Sequence, residues 1–132
     1  MKVAGRSMVP AFSPAQRVMV SRLSYVLKKP QKGHVVVLRH PQSGTFLLKR
    51  VVAGEGERVR QQYGRLFVGP RSVPVSAKDY AAARGESEWV VPKGHYFLAG
   101  DNLHASTDSR HFGCVPASAI EGRVIASFTL DE

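Results

Sequence analysis

The sequence has 132 residues, with 19 Lys and Arg against 10 Asp and Glu, a formal charge of +9; that length suits one domain with one modest core. The excess is uneven, because residues 1–54 hold ten Lys and Arg and no carboxylate, while residues 55–132 hold nine basic and ten acidic residues, so the first half points to an anionic partner: nucleic acid, anionic lipid or an acidic substrate. The single cysteine, Cys114, excludes a disulfide framework or multi-cysteine zinc site; 43% hydrophobic residues argue against disorder; and no stretch approaches the roughly 18 apolar residues of a membrane span or forms a signal peptide.

Short β-branched runs recur along the chain. Arg17–Val20 and His34–Leu38 read as strands, followed by Thr45–Val52, Arg65–Val68, Trp89–Val91, His95–Leu98 and Gly122–Leu130. Turn clusters bound them, among them Lys32-Gly33, Pro41-Gln42-Ser43-Gly44 and Pro92-Lys93-Gly94. Short strands at this spacing predict an all-β barrel or sandwich-like fold. One helix is predicted over Ser76–Arg84, with Ser76 as its cap and Asp79 near the positive end of its dipole. A helical turn is predicted over Pro116–Ile120, with Pro116 near its start.

Several residues carry no functional signal. His34, His40, His95, His104 and His111 show no metal-binding spacing with carboxylates, so no metal site is expected. Cys114 reads as a small core residue. Gly54-Glu55-Gly56-Glu57 lacks the lysine and the strand-to-helix context of a phosphate loop.

Three segments stand apart. In Gly5-Arg6-Ser7-Met8-Val9-Pro10 a serine hydroxyl is held on a constrained turn. In Phe46–Val52, strand alternation sets Lys49 with Leu47 and Val51, and Arg50 with Leu48 and Val52, so one cation must point toward an apolar face. At an edge strand such a lysine could instead snorkel to water. Burial would disfavour the ammonium, and a neutral amine can act as general base toward a serine hydroxyl. Finally, the segment from Gly100 to Arg110 follows a strand and is dense in hydroxyls and carboxylates, which organise hydrogen bonds at a strand end.

Together these segments resemble the type I signal peptidase family of Ser-Lys endopeptidases. The S-M-x-P box is present as Ser7-Met8-Val9-Pro10, and the lysine strand ends in Lys49-Arg50-Val51-Val52. A G-x-x-G-D-R-V turn is approximated by Gly54-Glu55-Gly56-Glu57-Arg58-Val59. The G-D-N box appears as Gly100-Asp101-Asn102, then Ser106 and Asp108-Ser109-Arg110. Phe112-Gly113-Cys114-Val115-Pro116 and Ile120-Glu121-Gly122-Arg123-Val124 complete the order.

The resemblance implies a mainly β fold of antiparallel sheets or a partly open barrel with one or two short helices. It implies a single catalytic domain over 1–132, with about 62–92 a variable insertion between the lysine strand and the G-D-N box. Ser7 matches the nucleophile, Lys49 its general base, Ser106 the serine that orients the lysine, and Asp108 with Arg110 a bracing ion pair. Met8 matches a residue lining the substrate pocket, and the Ser7 N–H an oxyanion donor. No cofactor is implied. The implied partner is a precursor protein whose N-terminal leader is removed after small residues, with the substrate pairing as an added strand.

The chain also departs from the pattern. Gly5 stands where a second oxyanion hydroxyl is often found, Ala11 replaces a threonine, and Gln16-Arg17 and Gly33-His34 replace Gly-Asp pairs. Leu103, His104 and Ala105 replace commonly polar residues. Only six residues precede Ser7, where the family has a membrane anchor; a soluble, cytoplasmic enzyme is expected, or a membrane-associated one if an upstream anchor has been lost. The stretch Val35–Pro41 is similar to small proteases that mature nickel superoxide dismutase precursors. The alternative is a weak or inactive basic β-module that binds anionic lipid or nucleic acid; the segment lacks the basic stretch interleaved with aromatics expected for single strands, and no nucleic acid is expected. A self-cleaving repressor would need its Ala-Gly bond well upstream, and Ala4-Gly5 is too close to Ser7 to loop back. On the charge pattern alone, like charges around Lys49 would help to lower its pKa.

Overall fold

The computed structural model describes residues 1–62, 65–69 and 87–129. Within these residues nine strands and two short α-helices follow in the order β1 (Arg17–Ser21), α1 (Ser24–Leu27), β2 (Val35–Arg39), β3 (Phe46–Ala53), β4 (Arg58–Gln62), β5 (Arg65–Gly69), β6 (Ser87–Val90), β7 (His95–Ala99), α2 (Ser109–Phe112), β8 (Val115–Pro116) and β9 (Ile120–Phe128). Six strands form one open sheet in the order β1-β9-β2-β3-β7-β8, and β5-β4-β6 form a second. The strand pairs are antiparallel.

The apolar run of β2 follows from its place inside the large sheet. Val35 and Val37 turn to one face and join Val3, Met8, Val18 and Leu48 in a buried cluster. Val36 and Leu38 turn to the other, against Val51, Tyr96, Leu98 and Val115. A strand covered on both faces loses the polar alternation of a half-exposed strand. Ala53, Val59, Val91, Phe97 and Ala99 form a third cluster linking the two sheets.

Most strands match the expectation to within one or two residues. Strand β4 was not foreseen, because in Arg58-Val59-Arg60-Gln61-Gln62 only Val59 is buried; pairing with β5 and β6 on its two sides holds this polar strand. The turn expected over Pro116–Ile120 is shorter. Pro116 belongs to β8, Ala117–Ala119 form a 3-10 turn, and Ile120 opens β9. The helix expected over Ser76–Arg84 and the Leu130 end of the last strand lie outside the described residues.

Candidate active site

Strand β3 lies between β2 and β7, so Lys49 is not on an edge and cannot snorkel from one. It sits opposite Val36, is 3% exposed, and its Nζ donates to Ser106 Oγ at 3.2 Å. Burial lowers its pKa from 10.5; Asp108 opposes that shift and Arg110 adds to it. These neighbouring charges come from the second half of the chain, so desolvation, and not the basic first half, is the main cause of the lowered pKa.

The next residue points the other way. Arg50 Nε and Nη2 donate to Asp101 Oδ1 and Oδ2 at 2.7 and 2.8 Å, and Nη1 donates to the Gly33 carbonyl at 2.8 Å. The Asp101 hydrogen bonds raise the Arg50 pKa further, so this fork stays charged.

The loop after β7 is built around Asp108, which is fully buried. Burial alone would raise its pKa. Hydrogen bonds from Arg110, Ser106, and the Gly100 and Arg110 N–H groups outweigh that and hold the carboxyl below its ordinary 3.8. The contacts are Ser106 Oγ at 2.7 Å, Gly100 N at 3.1 Å, and Arg110 Nε and Nη2 at 2.8 and 3.1 Å. Arg110 Nη2 also donates to the carbonyls of Leu103 and Ser106. Asp108 caps α2 by accepting from the Arg110 N–H, while His111 Nδ1 accepts from the Asp108 N–H. Ser109 Oγ accepts from the Leu98 N–H at 2.9 Å, which ties the loop to β7.

Ser106 is thereby immobilised. Its hydroxyl accepts from Lys49 Nζ and from the Gly100 N–H, and donates to Asp108. One donor and two acceptor sites complete a serine's hydrogen-bonding capacity. A fixed Ser106 in turn fixes the position of the lysine nitrogen.

The main chain of the Ser7 turn joins this network. The Ser7 carbonyl accepts from the Asn102 N–H at 2.7 Å, and Asn102 Nδ2 donates to the Arg6 carbonyl at 3.1 Å. Gly100 lies between the two serines: a Cβ there would stand 2.4 Å from Ser106 Oγ and 2.7 Å from the Ser7 carbonyl oxygen. Gly5 has φ +74°, the left-handed region that glycine tolerates best, and it leads the chain into the turn. Ser7 itself is partly exposed, and among the described residues nothing hydrogen-bonds its hydroxyl. Met8 is 1% exposed and anchors the turn among Val3, Val18, Val35, Val37 and Leu48.

The fold thus gathers Lys49, Ser106, Asp108 and Arg110 into one hydrogen-bonded chain and joins Ser7 to it through backbone. Sequence reasoning did not assign work to Gly100, Asn102, Ser109 or the Arg50–Asp101 pair. Their only signal was membership of the two boxes, since each acts through a contact distant in sequence. Cys114 is half-buried against the third cluster, and burial pushes its thiol up to about 11. Among the described residues no three His, Cys, Asp or Glu side chains could hold a metal ion, and no helix is long and apolar enough to cross a membrane.

A family model for signal peptidase, peptidase S26, matches residues 1–129. The chain belongs to that family. It is 38% identical over 125 residues to the mitochondrial ATP-independent inner membrane protease subunit 1a of Arabidopsis thaliana, covering 93% of this chain and 66% of that protein. It is 32% identical over 135 residues to signal peptidase I V of Bacillus subtilis, covering 92% and 80%. A crystal structure of a signal peptidase I from Enterococcus faecalis matches with a TM-score of 0.56 and 27% identity, over 75% of this chain and 98% of that one. The S26 chain spans 66% and 64% of the two mitochondrial relatives from Arabidopsis thaliana.

Proposed function

We propose that this S26 signal peptidase is a serine endopeptidase that removes N-terminal leaders from precursor proteins, with Ser7 as nucleophile and Lys49 as general base. The observation that carries the reading is the buried Lys49 amine, hydrogen-bonded to an immobilised Ser106 at the loop that also holds the Ser7 turn. A neutral Lys49 accepts the Ser7 hydroxyl proton as Oγ attacks the scissile carbonyl. The Ser7 N–H donates to the oxyanion, and the absence of a side chain at Gly5 leaves that role to backbone. The Lys49 ammonium returns the proton to the leaving amine as the C–N bond breaks. Lys49 then takes a proton from the water that attacks the Ser7 ester and returns it to Ser7 Oγ as the ester C–O bond breaks.

The N–H and C=O groups of Ala4 and Gly5 have no partner among the described residues, which suits a substrate strand laid beside them. Met8, packed beneath the turn, supports from below the surface that takes the small side chains before the scissile bond. The similarity at Val35–Pro41 makes a metalloenzyme precursor a substrate to test. Cleavage of a precursor peptide ending its leader in Ala-x-Ala, lost in Ser7→Ala, tests the assignment; retained cleavage in that variant overturns it.

Peripheral contact with an anionic membrane surface belongs to the same reading. Met1, Met19, Phe46 and Phe128 are exposed large hydrophobics around a groove of about 490 Å³ also lined by Arg22 and by Glu121, whose carboxylate is paired with Arg39. Lys2 and Arg17 are exposed and bridge next to it. An apolar patch rimmed by cations suits an anionic interface. Co-sedimentation with anionic vesicles, weakened by salt and by Phe46→Ser, is the expected result; equal binding to neutral vesicles would count against the role of the cations.

A further inference from the structure

We infer that Arg6 selects substrates carrying an acidic residue within about two positions of the scissile bond, an inference that rests on the Ser7–Lys49 reading above. Arg6 directly precedes Ser7 and is exposed. Its carbonyl accepts from Asn102 Nδ2 at 3.1 Å and from the Val9 N–H at 3.2 Å, so its backbone is fixed relative to the nucleophile. Among the described residues no acceptor holds its guanidinium.

The surrounding charges leave that cation uncompensated. The carboxylates of the facing loop are Asp101 and Asp108, and each is engaged by its own arginine, Arg50 and Arg110. Asp108 is also fully buried. His104, exposed on the same loop, adds no carboxylate. Lys49 is neutral in its reactive form, and residues 1–54 contain no carboxylate. The side that a substrate meets at Ser7 is therefore net positive, with an open guanidinium whose planar donors match a carboxylate. Neighbouring Cα atoms lie about 3.8 Å apart and an extended substrate advances about 3.3 Å per residue, so the reach of one side chain covers about two positions.

The experiment compares peptides that differ only in Asp, Asn or Lys at the two positions on each side of the scissile bond. The wild type should cleave the best Asp peptide with a kcat/KM roughly two- to five-fold above its Asn counterpart, as for an exposed ion pair. That preference should shrink as salt is raised. Arg6→Ala should level the series, and Arg6→Glu should turn the preference toward Lys. The same Asp-to-Lys ratio in all three proteins overturns the inference. Binding of the labelled peptides to Ser7→Ala, with and without the Arg6 changes, separates the two readings. If no peptide is cleaved but binding keeps an Arg6-dependent Asp preference, the catalytic reading fails and the charge selection stands. If every peptide is cleaved alike, the catalytic reading stands and the selection falls.

Discussion

Lys49 and Arg50 are adjacent in sequence and carry the same formal charge, yet the two faces of β3 treat them in opposite ways. Lys49 is buried with a hydroxyl as its hydrogen-bond partner, and its pKa falls. Arg50 is half-buried, forms a two-pronged ion pair with Asp101, and its pKa rises. Burial of an amine without a direct carboxylate partner disfavours its charged form; a guanidinium gripped by a carboxylate becomes a permanent brace. One strand thereby supplies a titratable base and a fixed strut, and the strut also holds Asp101, beside Asn102, which pins the Ser7 turn.

The comparison breaks most completely if the two cations are made alike. Lys49→Arg places a side chain that cannot deprotonate at the base position, and cleavage should fall by about four orders of magnitude or more, as for Lys49→Ala and Ser7→Ala. Steady-state kinetics on the leader peptide read this directly; substantial activity in Lys49→Arg would remove the general-base role. Asp108→Ala comes next. It leaves Arg110, whose side chain is 9% exposed, as an unpaired buried cation, and should cost about 3–5 kcal/mol in denaturant unfolding. Ser106→Ala removes the acceptor of the Lys49 hydrogen bond and the hydroxyl that donates to the Asp108 carboxylate, and should lower kcat by roughly 10- to 100-fold, the equivalent of about 1.5–3 kcal/mol for a bond to a charged group.

A pH series sharpens the contrast further. Activity should rise with pH as Lys49 deprotonates, with its midpoint below 10.5. Between that lowered pKa and the unfolded value, the unfolded chain binds more protons than the folded one, so stability also rises with pH across the window. Lys49→Met should remove that rise, whereas Arg50→Met should leave it. The smallest effect belongs to the partly exposed strut. Arg50→Ala or Asp101→Ala should cost about 1 kcal/mol of stability, and an effect as large as that of Asp108→Ala would show that the two ion pairs are equally buried.

The charge asymmetry of the sequence also changes meaning in the folded chain. Lys32, Arg39 and Arg50, from the carboxylate-free half, pair with Glu57, Glu121 and Asp101 from the other. Antiparallel pairing that brings distant segments together uses the two halves as complements. Of the cations left exposed, Arg6 lies beside Ser7 and Arg22 lines the apolar groove, with Lys2 and Arg17 next to it.

Much of the strand pattern was legible because β-branched runs between turn residues are local signals, and β2, β3 and β7 lie within one residue of His34–Leu38, Thr45–Val52 and His95–Leu98. Strand β4 was hidden by its polar composition. Helix α1 was hidden because it is one turn without a side-chain cap, and α2 because its capping box closes with His111 in place of the usual Glu or Gln. For the site, alternation along β3 established by itself that one of two adjacent cations would meet an apolar face. The order of the boxes established which residues belong together. Which cation is buried, what it bonds to, and why Gly100 must lack a side chain were decided only by tertiary structure. Each of those depends on packing β3 between β2 and β7 and on bringing Ser7, Gly100 and Ser106 within contact, and such long-range approaches leave no periodic trace along the chain.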